Sequence, residues 1–269
     1  MDSPAHGAAV SADDFGLKGP RGWAFRGVRV EAEPGALVAV EGPSGSGRTC
    51  LLLALTGRMR PTEGRAEVGG HHLPKELGAV RRFSALGPVT GVNELDPALT
   101  VAEHLRERAL LQGRYDGSLR ALLRPRTVRA AEAQARIDAA LDAAGLDLAT
   151  LPKGPRTSVR DLERLEALRL SVGLALMSRP RLLAVDDVGM KLSDVERALA
   201  WELLRSITRE GTTVLAVCTE APDDALRVTT ADAGATEGTD SGVGTDATTT
   251  DTTDTEKGAD DALAEAGRA

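Results

Sequence analysis

The sequence predicts an α/β fold: a mostly parallel sheet flanked by helices, joined by an α-helical subdomain and a small antiparallel β subdomain. Three observations predict it. Ala36–Val40, Arg181–Val185 and Thr212–Thr219 are short apolar runs, the pattern of strands buried on both faces of a parallel sheet. Helical periodicity separates these runs, which is the order of crossover connections. A glycine-rich segment, Gly42 to Gly47, joins the first run directly to the first helical pattern.

Taken in order, the first fourteen residues are small, acidic and aperiodic, so residues 1–14 are expected to be a flexible lead-in, with structure starting near Phe15. Trp23–Glu31 (WAFRGVRVE) alternates apolar and polar side chains, a half-exposed strand, and Glu33-Pro34-Gly35 supplies a turn that makes a hairpin-like entry to Ala36–Val40. Thr49–Arg58 reads as a leucine-rich helix closed by Gly57 and Pro61. Residues 62–95 hold glycines and short strand candidates, whereas 96–178 turns to Ala, Leu, Arg and Glu at helical spacing, the helical subdomain. Thr100 with Glu103 forms a capping box at its start, and a long amphipathic helix over 128–144 ends at Gly145. Strand 181–185 follows, then a helix over Asp194–Thr208, the turn Glu210-Gly211 and strand 212–219. Beyond Val228 the chain is mostly Thr, Asp, Gly and Ala, so 229–269 is expected to be a disordered acidic tail that cannot offset its ordering entropy by burial.

Composition removes several function classes. The 269 residues are 42% hydrophobic and 27% charged, ordinary globular values, but only 2% aromatic, too few for a base-stacking platform. The net charge is −7, yet residues 229–269 hold ten acids against Lys257 and Arg268, so the rest of the chain sits near +1. No overall basic field for nucleic acid exists. Cys50 and Cys218 lie in or beside apolar runs, which suits reduced thiols in a cytoplasmic compartment. No stretch reaches the roughly 18 apolar residues of a membrane span, and the start lacks the basic and apolar regions of a secretory signal. His6, His71, His72 and His104 have no metal-ligand spacing with the cysteines.

The chemistry concentrates in Gly42-Pro43-Ser44-Gly45-Ser46-Gly47-Arg48-Thr49, with Cys50 next. This is the phosphate-loop pattern G-x-x-x-x-G-K-[ST] at every fixed position except lysine. Its glycines let successive backbone N–H groups turn inward on an anion, and the following helix adds its positive end. The strand–loop–helix context marks a P-loop NTPase-type sheet, against the plainer reading of a glycine-rich turn. Thr49 offers a hydroxyl to Mg²⁺. Arg48 keeps charge and donors, but its planar fork does not fill the volume of a lysine ammonium. Asp186 and Asp187 close the strand 181–185, at the sheet edge where ligands of such folds bind. Alone, the pair reads as a solvated loop or helix cap. With the phosphate loop, Asp186 reads as a metal ligand opposite Thr49 and Asp187 as a general base or water-orienting carboxylate.

Over roughly residues 15–228 the chain resembles the nucleotide-binding domain of ATP-binding cassette (ABC) transporters. The segments EPGALVAVEGPSGSGRTCLLLALTGRMRPTEGRAEVGG, LDPALTVAEHL, SVGLALMSRPRLLAVDD and GTTVLAVCTE carry the likeness in order and spacing. The resemblance implies ATP and Mg²⁺ as cofactors and hydrolysis between two head-to-tail domains. It further implies a membrane-protein or permease partner, a homodimer or a heterodimer with another cassette, and a cytoplasmic location, peripheral at the inner face of the plasma membrane. Several family motifs are altered. Gly91 stands where a glutamine reaches metal and water, and Leu162-Glu163-Arg164-Leu165-Glu166 replaces the signature Leu-Ser-Gly-Gly-Gln that contacts the partner's γ-phosphate. Asp187 stands at the catalytic glutamate, Thr219 at the switch histidine and Ser193 at the D-loop aspartate. Phe15 and Trp23 are the candidates for an adenine-stacking aromatic. These changes imply weak or lost hydrolysis, with a nucleotide-dependent scaffold as the alternative and a P-loop kinase as a third reading.

Overall fold

A computed structural model describes residues 7–115 and 125–230. Residues 1–6 of the expected lead-in and 231–269 of the expected tail lie outside the described residues.

Two sheets form the body. The first is antiparallel, in the order β2-β1-β4-β5, from β1 (Val10–Gly19), β2 (Gly22–Ala32), β4 (Glu63–Val68) and β5 (His71–Leu73). The second is β6-β7-β8-β3-β9, from β3 (Leu37–Glu41), β6 (Ser84–Leu86), β7 (Leu182–Val185), β8 (Thr213–Val217) and β9 (Leu226–Thr229). Every pairing recorded in it is parallel.

The uninterrupted apolar runs follow from where β3, β7 and β8 sit. Val38, Val40, Leu182, Ala184, Leu215 and Val217 join a core that also contains the antiparallel sheet and helix α1 (Arg48–Leu55). Their neighbours Ala39, Leu183, Val185, Val214 and Ala216 face the opposite core. Strand side chains alternate between faces, so a strand covered on both sides needs apolar residues at every position. The opposite core is closed by α5 (Arg164–Leu176) and α6 (Asp194–Arg209), through Val172, Ala175, Trp201, Leu204 and Ile207. Helix α2 (Leu77–Phe83) lies between β5 and β6 in the chain.

The helical region has its own core. Val101 and Leu105 of α3 (Val101–Tyr115), Ile137 and Leu141 of α4 (Arg126–Ala144) and Leu170 of α5 pack together. Thr100 caps α3 as its spacing requires: its N–H donates to Glu103 Oε2 at 2.7 Å, and the Glu103 N–H donates back to Thr100 Oγ1 at 3.3 Å. Gly145 ends α4 in the left-handed conformation, at φ 62°.

Two expectations about the amino-terminal third are corrected. Order begins well before Phe15: β1 starts at Val10, and the Thr213 hydroxyl donates to the Ala8 carbonyl at 2.8 Å while the Ala8 N–H donates to Arg181 O at 3.1 Å. Ala8, Val10 and Ala12 bury small side chains, which carry little apolar signal among Ser and Asp. The hairpin also differs. It joins β1 to β2, with Gly19 opposite Gly22, whereas the turn at Glu33–Gly35 carries the chain from the antiparallel sheet to the parallel one.

Candidate nucleotide-binding site

The carboxyl ends of β3, β7, β8 and β9 converge on one edge of the parallel sheet. The phosphate loop leaves β3 there and runs into α1. Gly47, the residue before α1, adopts φ 79°, and a Cβ on it would lie 1.9 Å from Ala24 O. Only glycine fits, because β2 crosses against the loop at that point. Gly45 is also left-handed, at φ 82°, but a Cβ there would meet nothing within 4 Å. That side of the loop is open. No side chain caps α1 and no acid occupies its first turn, so among the described residues no capping side chain competes for its N-terminal donors.

Thr49 and Asp186 meet. The Thr49 hydroxyl donates to Asp186 Oδ2 at 2.8 Å, and the Asp187 N–H donates to Asp186 Oδ1 at 3.1 Å. Asp186 is 6% exposed, and burial pushes its carboxyl above the ordinary carboxylate range, against the hydrogen bond from Thr49. Among the described residues no cationic side chain forms an ion pair with it. A buried carboxylate with no ion pair at contact distance, beside a hydroxyl and an open anion cradle, is the oxygen donor set of a hard divalent cation. The residues present therefore fit magnesium nucleotide.

Arg48 does not take the place of the missing lysine. Its Nη1 donates to the Cys218 carbonyl at the end of β8, at 2.7 Å. The longer fork reaches past the loop to a backbone acceptor, a partner that sequence reasoning did not foresee. Cys50, in the first turn of α1, has its thiol pushed up by burial and by the charge of Asp186, and Cys218 is pushed up to about 11 by burial first and Glu41 second. Both shifts favour the protonated thiol over the nucleophilic thiolate.

The remaining candidates divide. Asp187 sits next to Asp186 in a left-handed conformation, φ 48°, half-buried, and its carboxylate accepts no hydrogen bond among the described residues. Gly91 lies in an exposed turn where its N–H donates to Glu94 Oε1 at 2.8 Å, and the loop residue that touches Asp186 is Pro88, whose carbonyl accepts the Asp186 N–H at 3.0 Å. Neither residue brings a side-chain donor. Ser193 is a helix cap: it precedes α6, and its N–H donates to Glu196 Oε2 at 2.8 Å. Thr219 is exposed just after β8. Phe15 is fully buried with its ring centroid 5.7 Å from that of Phe25, so it is a core residue and no adenine platform. Trp23 remains partly exposed, with Arg26 4.6 Å and Lys18 5.4 Å from its ring, one residue from the strand backbone that touches Gly47.

The segment 162–166 forms the start of α5. Glu163 is the N-cap residue, and its N–H donates to Glu166 Oε2 at 2.8 Å. A carboxylate of the chain itself thus lies on that helix N-terminus. Among the described residues no cluster of three or more His, Cys, Asp or Glu could hold a metal ion, and no helix is long and apolar enough to cross a membrane.

Residues 25–188 match the family model described as ABC transporter. The chain belongs to the ABC transporter family. Nod factor export ATP-binding protein I of Cupriavidus metallidurans is 32% identical over 186 residues, 69% of this chain and 54% of that protein. Daunorubicin resistance ATP-binding protein DrrA3 of Streptomyces coeruleorubidus is 32% identical over 215 residues, 78% of this chain and 61% of that one. The chain thus spans little more than half the length of the curated relatives it matches. Among solved structures, the dimeric structure of a bacterial ABC transporter cassette is similar at a TM-score of 0.60, with 22% identity over 78% of this chain and 88% of that chain. That likeness concerns the fold alone, an ABC-type α/β cassette with parallel and antiparallel sheets.

Proposed function

We propose that this protein binds magnesium-ATP through Gly42–Cys50 as the ATP-binding component of a membrane transporter, with weak or absent hydrolysis of its own. The observation that carries the reading is the 2.8 Å hydrogen bond between Thr49 and Asp186 beside an uncapped helix N-terminus that follows a central strand. When bound, magnesium would supply positive charge in direct contact with the buried Asp186 and neutralise phosphate oxygens. The chain's own part is positional. The Ser46 N–H braces the loop by donating to the Pro43 carbonyl at 3.2 Å, the other backbone donors between Ser44 and Cys50 hold the phosphates, Thr49 and Asp186 hold the ion, and the Gly45 side admits the ligand.

The same geometry argues against efficient hydrolysis. Phosphoryl transfer depends on positioned charge and positioned water. Arg48 spends a donor on the Cys218 carbonyl, neither Gly91 nor Pro88 supplies a side-chain donor or acceptor for water, and Asp187 reaches one methylene less far than glutamate. The Glu166 carboxylate on α5 places negative charge where a partner's γ-phosphate docks in the family. It opposes a second, catalytically competent site in a head-to-tail homodimer and favours pairing with a different cassette. A cytoplasmic position beneath a membrane permease belongs to the same proposal, supported by the relatives' names as export and resistance ATP-binding proteins.

A second reading, a nucleotide-dependent scaffold with no turnover, draws on those same alterations. Single-turnover hydrolysis separates the two and tests both. Slow or undetectable cleavage is expected, with Arg48→Lys restoring little because the water-positioning groups remain altered. Wild-type turnover of about one per second, abolished by Asp187→Asn, is incompatible with a loss of about 100-fold or more for each missing group and refutes the degenerate-site reading.

A further inference from the structure

The last described strand ends against the phosphate loop. β9 runs parallel to β3 with Thr229 opposite Glu41, so Thr230 arrives where β3 turns into the loop. Its N–H donates to the Glu41 carbonyl at 3.0 Å and its hydroxyl donates to the same carbonyl at 3.2 Å. That hydroxyl also lies 2.6 Å from Ser46 Oγ, inside the loop. A hydroxyl carries one proton and a carbonyl can only accept, so Ser46 is the donor of this bond and its proton points at Thr230. Thr230 is 2% exposed and Ser46 6%. Gly42 makes the room: a Cβ there would lie 2.4 Å from Thr230 Oγ1 and 2.5 Å from Ser46 Oγ.

Ser46 is therefore held twice, by its N–H on the Pro43 carbonyl within the loop and by its hydroxyl on the residue that ends β9. On either side of it Gly45 and Gly47 adopt φ 82° and 79°, and glycine has the most conformational freedom to lose. Such a loop, if loose in the free protein, must be ordered when nucleotide arrives, at the expense of affinity. A strand residue that fixes it beforehand removes that cost from the binding step.

We propose that Thr230 is a positioning residue for nucleotide, holding the phosphate loop in its ligand-ready shape through the Ser46 hydroxyl. The inference rests on the nucleotide-site reading above. Thr230 is buried and acts through Ser46. It lies outside residues 25–188, which match the family model, so the family likeness assigns it no role. One such hydrogen bond changes an equilibrium constant by about three- to tenfold. That factor moves into nucleotide affinity once the ligand itself must order the loop.

The test is calorimetric titration of magnesium-ATP into five full-length proteins, at a temperature where melting curves show each of them folded. These are the wild type, Thr230→Val, Thr230→Ser, Ser46→Ala and the double variant Ser46→Ala/Thr230→Val. Valine keeps the shape of threonine and the backbone bond to Glu41 but removes the hydroxyl, whereas serine keeps the hydroxyl and removes the methyl. The proposal expects Thr230→Val and Ser46→Ala each to bind about three- to tenfold more weakly than wild type. The double variant should be no weaker than either single one, since both remove the same bond, and Thr230→Ser should bind like the wild type. Unchanged affinity in Thr230→Val overturns the positioning role and leaves the nucleotide site standing. So do losses that multiply in the double variant, because the two residues then act independently. A Thr230→Ser protein as weak as Thr230→Val also overturns it, because packing of the methyl is then what matters. No binding by the wild type overturns both readings.

Discussion

Replacing Gly47 by alanine is the sharpest local test of the phosphate loop. The new Cβ would lie 1.9 Å from Ala24 O, 2.5 Å from Ala24 C and 3.2 Å from Phe25 N, all backbone atoms of β2 that no rotamer change can move aside. An ordinary carbon–oxygen contact needs more than an ångström of extra separation, so either the loop or the strand must shift. The left-handed φ of 79° adds about 1–2 kcal/mol for any residue with a Cβ, and overpacking a rigid contact adds about 1–3 kcal/mol. The sum, about 2–5 kcal/mol, corresponds to a melting temperature lower by about 5–15 °C for a domain of this size. Gly45→Ala is the internal control. It shares the left-handed backbone, at φ 82°, but its Cβ meets nothing, so it should cost only about 1–2 kcal/mol. Differential scanning calorimetry of the two variants decides: equal losses of stability, or a Gly47→Ala protein as stable as wild type, refute the packing of β2 against the loop.

Two further outcomes follow from the site. Glu166→Ala removes the acceptor of the 2.8 Å hydrogen bond from the Glu163 N–H and should lower stability by about 0.5–2 kcal/mol in urea unfolding, whereas a surface glutamate that capped nothing would cost almost none. Cys218, with its thiol pushed up to about 11, stays protonated at neutral pH. Its labelling by a thiol reagent in the folded protein should be slow at neutral pH and climb about tenfold per pH unit until about pH 11, and a plateau near pH 8 contradicts the buried environment assigned to it.

Much of this architecture is legible in the chain because its strongest signals are local. A strand covered on both faces must be apolar at every position, and a loop that folds backbone donors inward must be rich in glycine, so β3, the phosphate loop and α1 are readable together. The meeting of Thr49 with Asp186, 137 residues apart, is legible because a phosphate loop and an acid that closes a buried strand both belong at the carboxyl edge of a parallel sheet. Other features are silent. β1 begins among Ser and Asp because Ala8, Val10 and Ala12 need little bulk to fill their places, and composition gave no sign that Thr230 is buried, because threonine in a Thr-rich tail looks like its exposed neighbours. Arg48 signals a departure from lysine, but its bond to a backbone carbonyl 170 residues away has no trace in the sequence. Phe15 misleads in the other direction: an aromatic near a nucleotide motif reads as a stacking candidate, yet one more core position was there to fill.

The reading stands or falls on metal-dependent nucleotide binding, and isothermal titration of ATP with excess Mg²⁺ and again with chelator measures it directly. The account predicts tighter binding with the metal, and loss of that difference in Asp186→Asn, which keeps an acceptor for the Thr49 hydroxyl but removes the charge that holds the ion. Binding of equal strength with and without Mg²⁺ in the wild type, or a metal effect that survives Asp186→Asn unchanged, contradicts it.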